Sequence, residues 1–249
     1  MMRSLTLFAT TLAFLLVSAC GQQADEPAPE AATEAAAEAP AAPAGMLLPA
    51  TTESSEALEH YMAGWADFEN ARANTAHAHF LAATEADPGF AMGHLMAAIT
   101  AQSTESFVSN LGRATHTGMN VSDDERTLIG AFEKALAGDQ QGMVGALREM
   151  TTRYPDSPRA WVFLGNALTN MNDAEGSRAA YAQAIAADDQ HVPAHINLGN
   201  NLMTVEPKDF AEAEKHFMHA VEITPNEPNP HDLLGDVHLQ LLRRQREPQ

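Results

Sequence analysis

The sequence predicts an all-α fold, an α-solenoid of about four to five helix-turn-helix repeats closed by a C-terminal capping helix. Three observations predict it. Trp161-Val162-Phe163-Leu164-Gly165-Asn166 is echoed thirty-four residues later by His195-Ile196-Asn197-Leu198-Gly199-Asn200, and Leu234-Gly235-Asp236 opens a third copy. Tyr181 and Ala184 recur as Phe217 and Ala220 with a two-residue slip. Between these marks the apolar residues follow helical spacing in helix-forming composition. A fixed period of this length means units that cannot bury their apolar faces alone and stack to share one interior.

Composition narrows the possibilities further. The chain has 249 residues, 45% of them hydrophobic, enough for an interior shared along a stack. Its 33 acidic against 14 basic side chains give a net charge of −19. Such a surface repels phosphate backbones and anionic headgroups, which excludes nucleic acid as a partner and leaves membrane attachment to an anchor alone. Cys20 is the single cysteine, so no disulfide forms within the chain.

In chain order, Met1 to Ser4 is a short basic start, and Leu5 to Val17 an uncharged apolar run too short to span a bilayer comfortably. It ends in small residues, as an export signal does, which makes 1–19 a signal peptide. Val17-Ser18-Ala19-Cys20 resembles the bacterial lipobox. That resemblance implies lipidation of Cys20, cleavage before it, and anchorage in the bacterial cell envelope; Gly21 points to the outer membrane, facing the periplasm. Two or more acyl chains give stable attachment where one is marginal. Residues 20–50 are the lipidated cysteine and an Ala/Pro/Glu linker with little to pack, interrupted by Pro27, Pro29, Pro40, Pro43 and Pro49. As a coil it reaches roughly 30 Å.

The solenoid is expected over 54–242. Ser54 offers an N-cap, and Leu58, Tyr61, Met62, Trp65 and Phe68 follow helical spacing. A second helix carries Ala76, Phe80 and Ala83 on one face and ends at Asp87-Pro88-Gly89. Repeats are expected at about 57–90, 91–122, 124–157, 158–191 and 192–227, with a cap at 228–244 and a tail at 245–249. The 91–122 unit is degenerate: Pro88 to Pro155 falls one residue short of two periods. Ser122 and Glu125 read as a capping box. Glu206-Pro207-Lys208 lengthens the turn inside the last full repeat, which a surface loop tolerates. The cap helix ends in Arg243 and Arg244, cations that suit a helix C-terminus.

Gly64, Ala76, Phe80, Ala83 and Pro88 stand at the intervals of the tetratricopeptide repeat, and the 158–189 and 192–225 units resemble that family most clearly. The resemblance implies a right-handed superhelix that binds a protein or peptide partner in its concave groove, lined by the first helix of each repeat. Carried over residue by residue, the family's groove positions fall on Arg159, Val162, Asn166 and Asn170, then Ile196, Asn200 and Met203, then Asp232 and Asp236. Trp65 and Phe132 hold equivalent places earlier. Asn166 and Asn200 stand out because an amide both donates and accepts and can hold a ligand's backbone whatever its side chains. The carboxylate clamp of one subclass is not inferred, since few basic residues occupy the matching positions.

Eleven histidines and twelve methionines raise an alternative, a His/Met-rich metal-binding envelope lipoprotein. The spacing argues against it. His60, His94, His195 and His231 share the fourth repeat position with Trp161 and read as packing residues; His216 and His219 share a helix edge without an evident third ligand. No metal or other cofactor is therefore expected. No Gly-rich phosphate loop, His-Glu-x-x-His or nucleophile elbow is present, so the chain is read as a scaffold rather than an enzyme.

Overall fold

The computed structural model describes residues 48–246. The expected signal peptide and lipidation at Cys20, and most of the expected linker, lie outside them. Eleven α-helices follow one another: α1 (Ser55–Glu69), α2 (Ala73–Ala86), α3 (Ala91–Ile99), α4 (Thr104–Thr117), α5 (Asp123–Leu136), α6 (Gln140–Arg153), α7 (Pro158–Asn170), α8 (Ala174–Ala187), α9 (Val192–Thr204), α10 (Phe210–Ile223) and α11 (Pro228–Arg246). No strand occurs among the described residues. Consecutive helices pair as antiparallel hairpins, five in all, with α11 packed on α10 as the unpaired last element. The chain is an all-α helical-repeat solenoid.

Helix starts are set chemically. Side chains of Ser54, Ser103, Asp139, Ser157, Asp173 and Asp209 each accept a hydrogen bond from a backbone N–H of the first turn. Ser122 and Glu125 form the reciprocal capping box. The packed chain begins earlier than Ser54: Leu48 is buried, and the Thr51 N–H and hydroxyl donate to Glu125 at 2.6 and 2.7 Å. Glu125 is fully buried, and its carboxylate also accepts from the Ser122 N–H and hydroxyl. A buried carboxylate with four donors is solvated by the protein. The stretch 48–54 thus straps the start of the chain across the third hairpin.

Within a hairpin, close approach is made by a glycine facing a ring. A Cβ built on Gly64 would lie 2.7 Å from Phe80, one on Gly165 2.4 Å from Tyr181, and one on Gly199 2.5 Å from Phe217. Where the middle repeats carry Ala98 and Ala131 at the same position, the partner position holds Ala114 and Leu147, all buried. A Cβ on one helix is matched by a smaller side chain on the other, so interior density is kept.

The inner wall is not open along its whole length. Every residue from Ala91 to Ala98 of α3 is buried. Trp65 of α1 meets Phe163 of α7 edge-on, with centroids 6.1 Å apart, and Phe163 meets Phe132 of α5 at 5.9 Å. Arg72, at the start of α2, pairs with Glu227 just before α11 at 2.7 Å. The stack curls until the first hairpin touches the fourth. Trp65, 3% exposed, and the half-buried Phe132 thus take part in this closure, and Trp65 also keeps a place in the wall of the hollow beside it.

Candidate functional site

Closure leaves two adjoining hollows on the inner face of the fourth and fifth hairpins. One has a volume of about 290 Å³ and mostly apolar walls: Trp65, Phe68, Val162, Phe163, Pro193 and Ile196. Its polar wall is Glu69, Arg159, Asn166, His191, Asn197 and Asn229. The other, about 360 Å³, is lined by Asn166, Thr169, Asn170, Tyr181, Asn197, Asn200, Asn201 and Thr204. Asn166 and Asn197 belong to both.

The expected groove residues divide accordingly. Trp65, Arg159, Val162, Asn166 and Ile196 line the apolar hollow, and Asn166, Asn170 and Asn200 the amide-rich one. Met203 packs against the C-terminal apolar cluster, and Asp232 and Asp236 are exposed on α11, outside both hollows.

Arg159 and Glu69 make the apolar hollow's one ion pair, Nε to carboxylate at 2.6 Å. The Arg159 guanidinium lies 4.3 Å over the Trp65 ring, and its Nη1 is buried with no hydrogen-bond partner among the described residues. The π face compensates it electrostatically and donates nothing in return. His191 is buried on the same wall; burial pushes its imidazole below the usual histidine range, against the pull of Glu69, so it is neutral at pH 7.

In the second hollow the asparagines have different duties. The Tyr181 hydroxyl donates to Asn166 Oδ1 at 2.8 Å. Asn201, 2% exposed, donates to Thr169 and Ser177 and accepts from Arg178 Nε at 2.9 Å. Arg178 in turn holds the Val205 and Pro207 carbonyls, pinning the lengthened turn of the fifth hairpin. This network ties the fourth hairpin to the fifth where one apolar cluster gives way to the next. The side chains of Asn197 and Asn200 make no hydrogen bond among the described residues. Sequence reasoning missed Asn201 because its neighbour Asn200 repeats Asn166, while its own partners Thr169 and Ser177 stand in the preceding repeat, on α7 and α8.

Three imidazoles also converge. His195 Nδ1 lies 3.2 Å from His216 Nδ1, and the His195 and His219 rings are 4.5 Å apart. His195 was expected to be a packing residue and is the third histidine that the α10 pair lacked in the sequence. Its Nε2 is 3.0 Å from the Asp189 carbonyl, which fixes the proton there and leaves Nδ1 to accept from His216. Among the described residues no group of three or more ligand side chains is arranged to hold a metal ion.

Residues 158–191 match the sequence pattern described as tetratricopeptide repeat. No curated protein sequence matches the chain. Among solved structures it is similar to the first TPR of Spaghetti (RPAP3) bound to the HSP90 peptide SRMEEVD, with 14% identity and a TM-score of 0.42 over 47% of this chain and 90% of that one. It is also similar to YrrB, a TPR protein with an unusual peptide-binding site (14%, 0.40, over 71% and 90%), and to MamA (16%, 0.38, over 70% and 94%).

Proposed function

We propose that this repeat solenoid, which matches the tetratricopeptide repeat over residues 158–191, is a scaffold of the bacterial cell envelope, without catalysis of its own, that receives a segment of a partner protein between its fourth and fifth hairpins. The observation that carries the reading is the pair of adjoining hollows. Asn197 and Asn200 there present amides that no other described residue uses. Polar groups held in a concavity without internal partners are poised for a ligand's hydrogen bonds, and amides can serve an extended backbone on either face. Attachment is by lipid at Cys20, with the linker holding the solenoid clear of an outer membrane facing the periplasm.

Two measurements test this. A photo-crosslinking residue at Asn170, in native cells, traps a partner; the same residue at the exposed Asp236 does not. Replacing Asn197 and Asn200 together by alanine abolishes the Asn170 product while the circular dichroism stays helical. Equal products from both sites, or no effect of the amides, would overturn the groove. For the anchor, metabolic labelling with a fatty-acid analogue marks the wild type and not Cys20→Ala; label on the variant overturns it.

A further inference from the structure

We propose that the apolar hollow is an anchor site for a large apolar side chain, aromatic best, of a partner segment whose adjacent backbone carbonyl is read by Arg159. The proposal rests on the scaffold reading and names what that segment carries. Volume comes first. A cavity of about 150 Å³ lined by aliphatic and aromatic groups stays dry and takes benzene, so one of about 290 Å³ has room for an aromatic side chain with part of its backbone. The walls suit a ring: Trp65, Phe68 and Phe163 offer faces and edges, with Val162 and Ile196 between them.

Charge then selects the backbone. A guanidinium has five N–H groups, and only Nε–H of Arg159 has a hydrogen-bond acceptor, the Glu69 carboxylate. Nη1 is sealed over the Trp65 ring, which leaves the Nη2 pair for a ligand on this wall. The acceptor it takes is a neutral carbonyl rather than a free carboxylate. Glu69 is also on the wall, already paired to the same cation, and the neutral His191 adds no second positive charge; a ligand carboxylate would face the Glu69 charge at low local dielectric. A peptide carbonyl satisfies the guanidinium without that repulsion, and the rest of the segment runs past Asn166 and Asn197 into the amide-rich hollow.

Trp65 is itself the reporter. In full-length protein carrying Trp161→His, it is the only tryptophan. N-acetyl-phenylalaninamide is expected to change its emission saturably. N-acetyl-phenylalanine, the carboxylate form, is expected to bind about tenfold more weakly, and N-acetyl-asparaginamide to give no saturable change. Val162→Phe fills the hollow and removes the response; Ile196→Phe, on the neighbouring helix, does the same by a separate substitution, and either one that keeps the helical spectrum suffices. The proposal is overturned if the amide gives no saturable change, if the carboxylate binds as tightly, or if a folded filled-cavity variant still responds. Such a failure, with the Asn170 crosslink still lost on Asn197 and Asn200 replacement, removes the anchor and leaves the groove; failure of both removes the groove as well.

Discussion

The fourth position of a repeat carries a ring except at Thr127, and in three repeats and the cap helix its N–H donates to the same acceptor, the carbonyl six residues back in the inter-repeat turn. His94 reaches Pro88 at 3.1 Å, Trp161 reaches Pro155 at 2.7 Å, His195 reaches Asp189 at 3.0 Å and His231 reaches Pro225 at 2.9 Å. The ring staples each turn to the helix that follows it. Trp161→Phe keeps most of the packing and gives the exposed carbonyl back to water, so it should lower stability by about 0.5 kcal/mol, whereas Trp161→His should restore most of it; urea unfolding separates the two. The staple has a pH dependence. Burial, then the neighbouring His219 and His216, push the His195 pKa down to about 4, against the pull of the Asp189 carbonyl. Unfolded, the imidazole returns to the ordinary 6.5, so below that pH the unfolded chain binds the extra proton. The stability contributed by neutral His195 is complete above pH 6.5 and lost as pH falls toward 4, at most about 3 kcal/mol. Unfolding free energies at pH 7 and pH 5 should differ less in His195→Gln than in the wild type; equal slopes would refute the assignment.

Between paired helices the controlling quantity is one methyl group. Gly199→Ala puts a Cβ 2.5 Å from a Phe217 ring held in the core and should cost roughly 1–3 kcal/mol. Gly235 holds the equivalent position on α11, where no described residue lies within 4 Å of the added atom. Gly235→Ala should therefore stabilise by about 0.5–1 kcal/mol through helix propensity alone. Thermal unfolding of both variants checks the contrast; a loss at Gly235 would mean that α11 has a covering partner. These pairings were legible in the sequence because they are local and periodic: Gly64 with Phe80, Gly165 with Tyr181 and the slipped Gly199 with Phe217 recur at fixed offsets. Capping was legible for the same reason at Ser54 and Ser122. Asn201 was not. Its partners Thr169, Ser177 and Arg178 come from the preceding repeat, and nothing in the periodicity separates a buried amide from the solvated one beside it. The His195, His216 and His219 cluster was hidden likewise, since it joins the fourth position of one helix to the edge of the next.

The least legible property is how tightly the stack curls. Periodicity states that hairpins stack; it does not state the small rotation per repeat, which accumulates over the whole array. Here α3 has nine residues where α1, α5, α7 and α9 have 13 to 15, and the first hairpin meets the fourth across it. What would line an open groove, Trp65 and Phe132, becomes an aromatic bridge through Phe163, and the two hollows are what remains beside it. The ion pair of Arg72 with Glu227 crosses the same gap, but Arg72 is 42% exposed, and pairs of that kind contribute little. The Glu69 pair with Arg159 also joins α1 to α7 but is little exposed, so closure should depend on the ring and that sheltered pair and resist salt. Phe163→Ala removes a side chain only 8% exposed and is expected to cost about 3–5 kcal/mol, with a larger radius of gyration in small-angle scattering as the first hairpin lets go. Arg72→Ala should change neither measurably. If Phe163→Ala left the radius unchanged, the curl would be set by the hairpin stacking alone, and the apolar hollow would survive without its bridge.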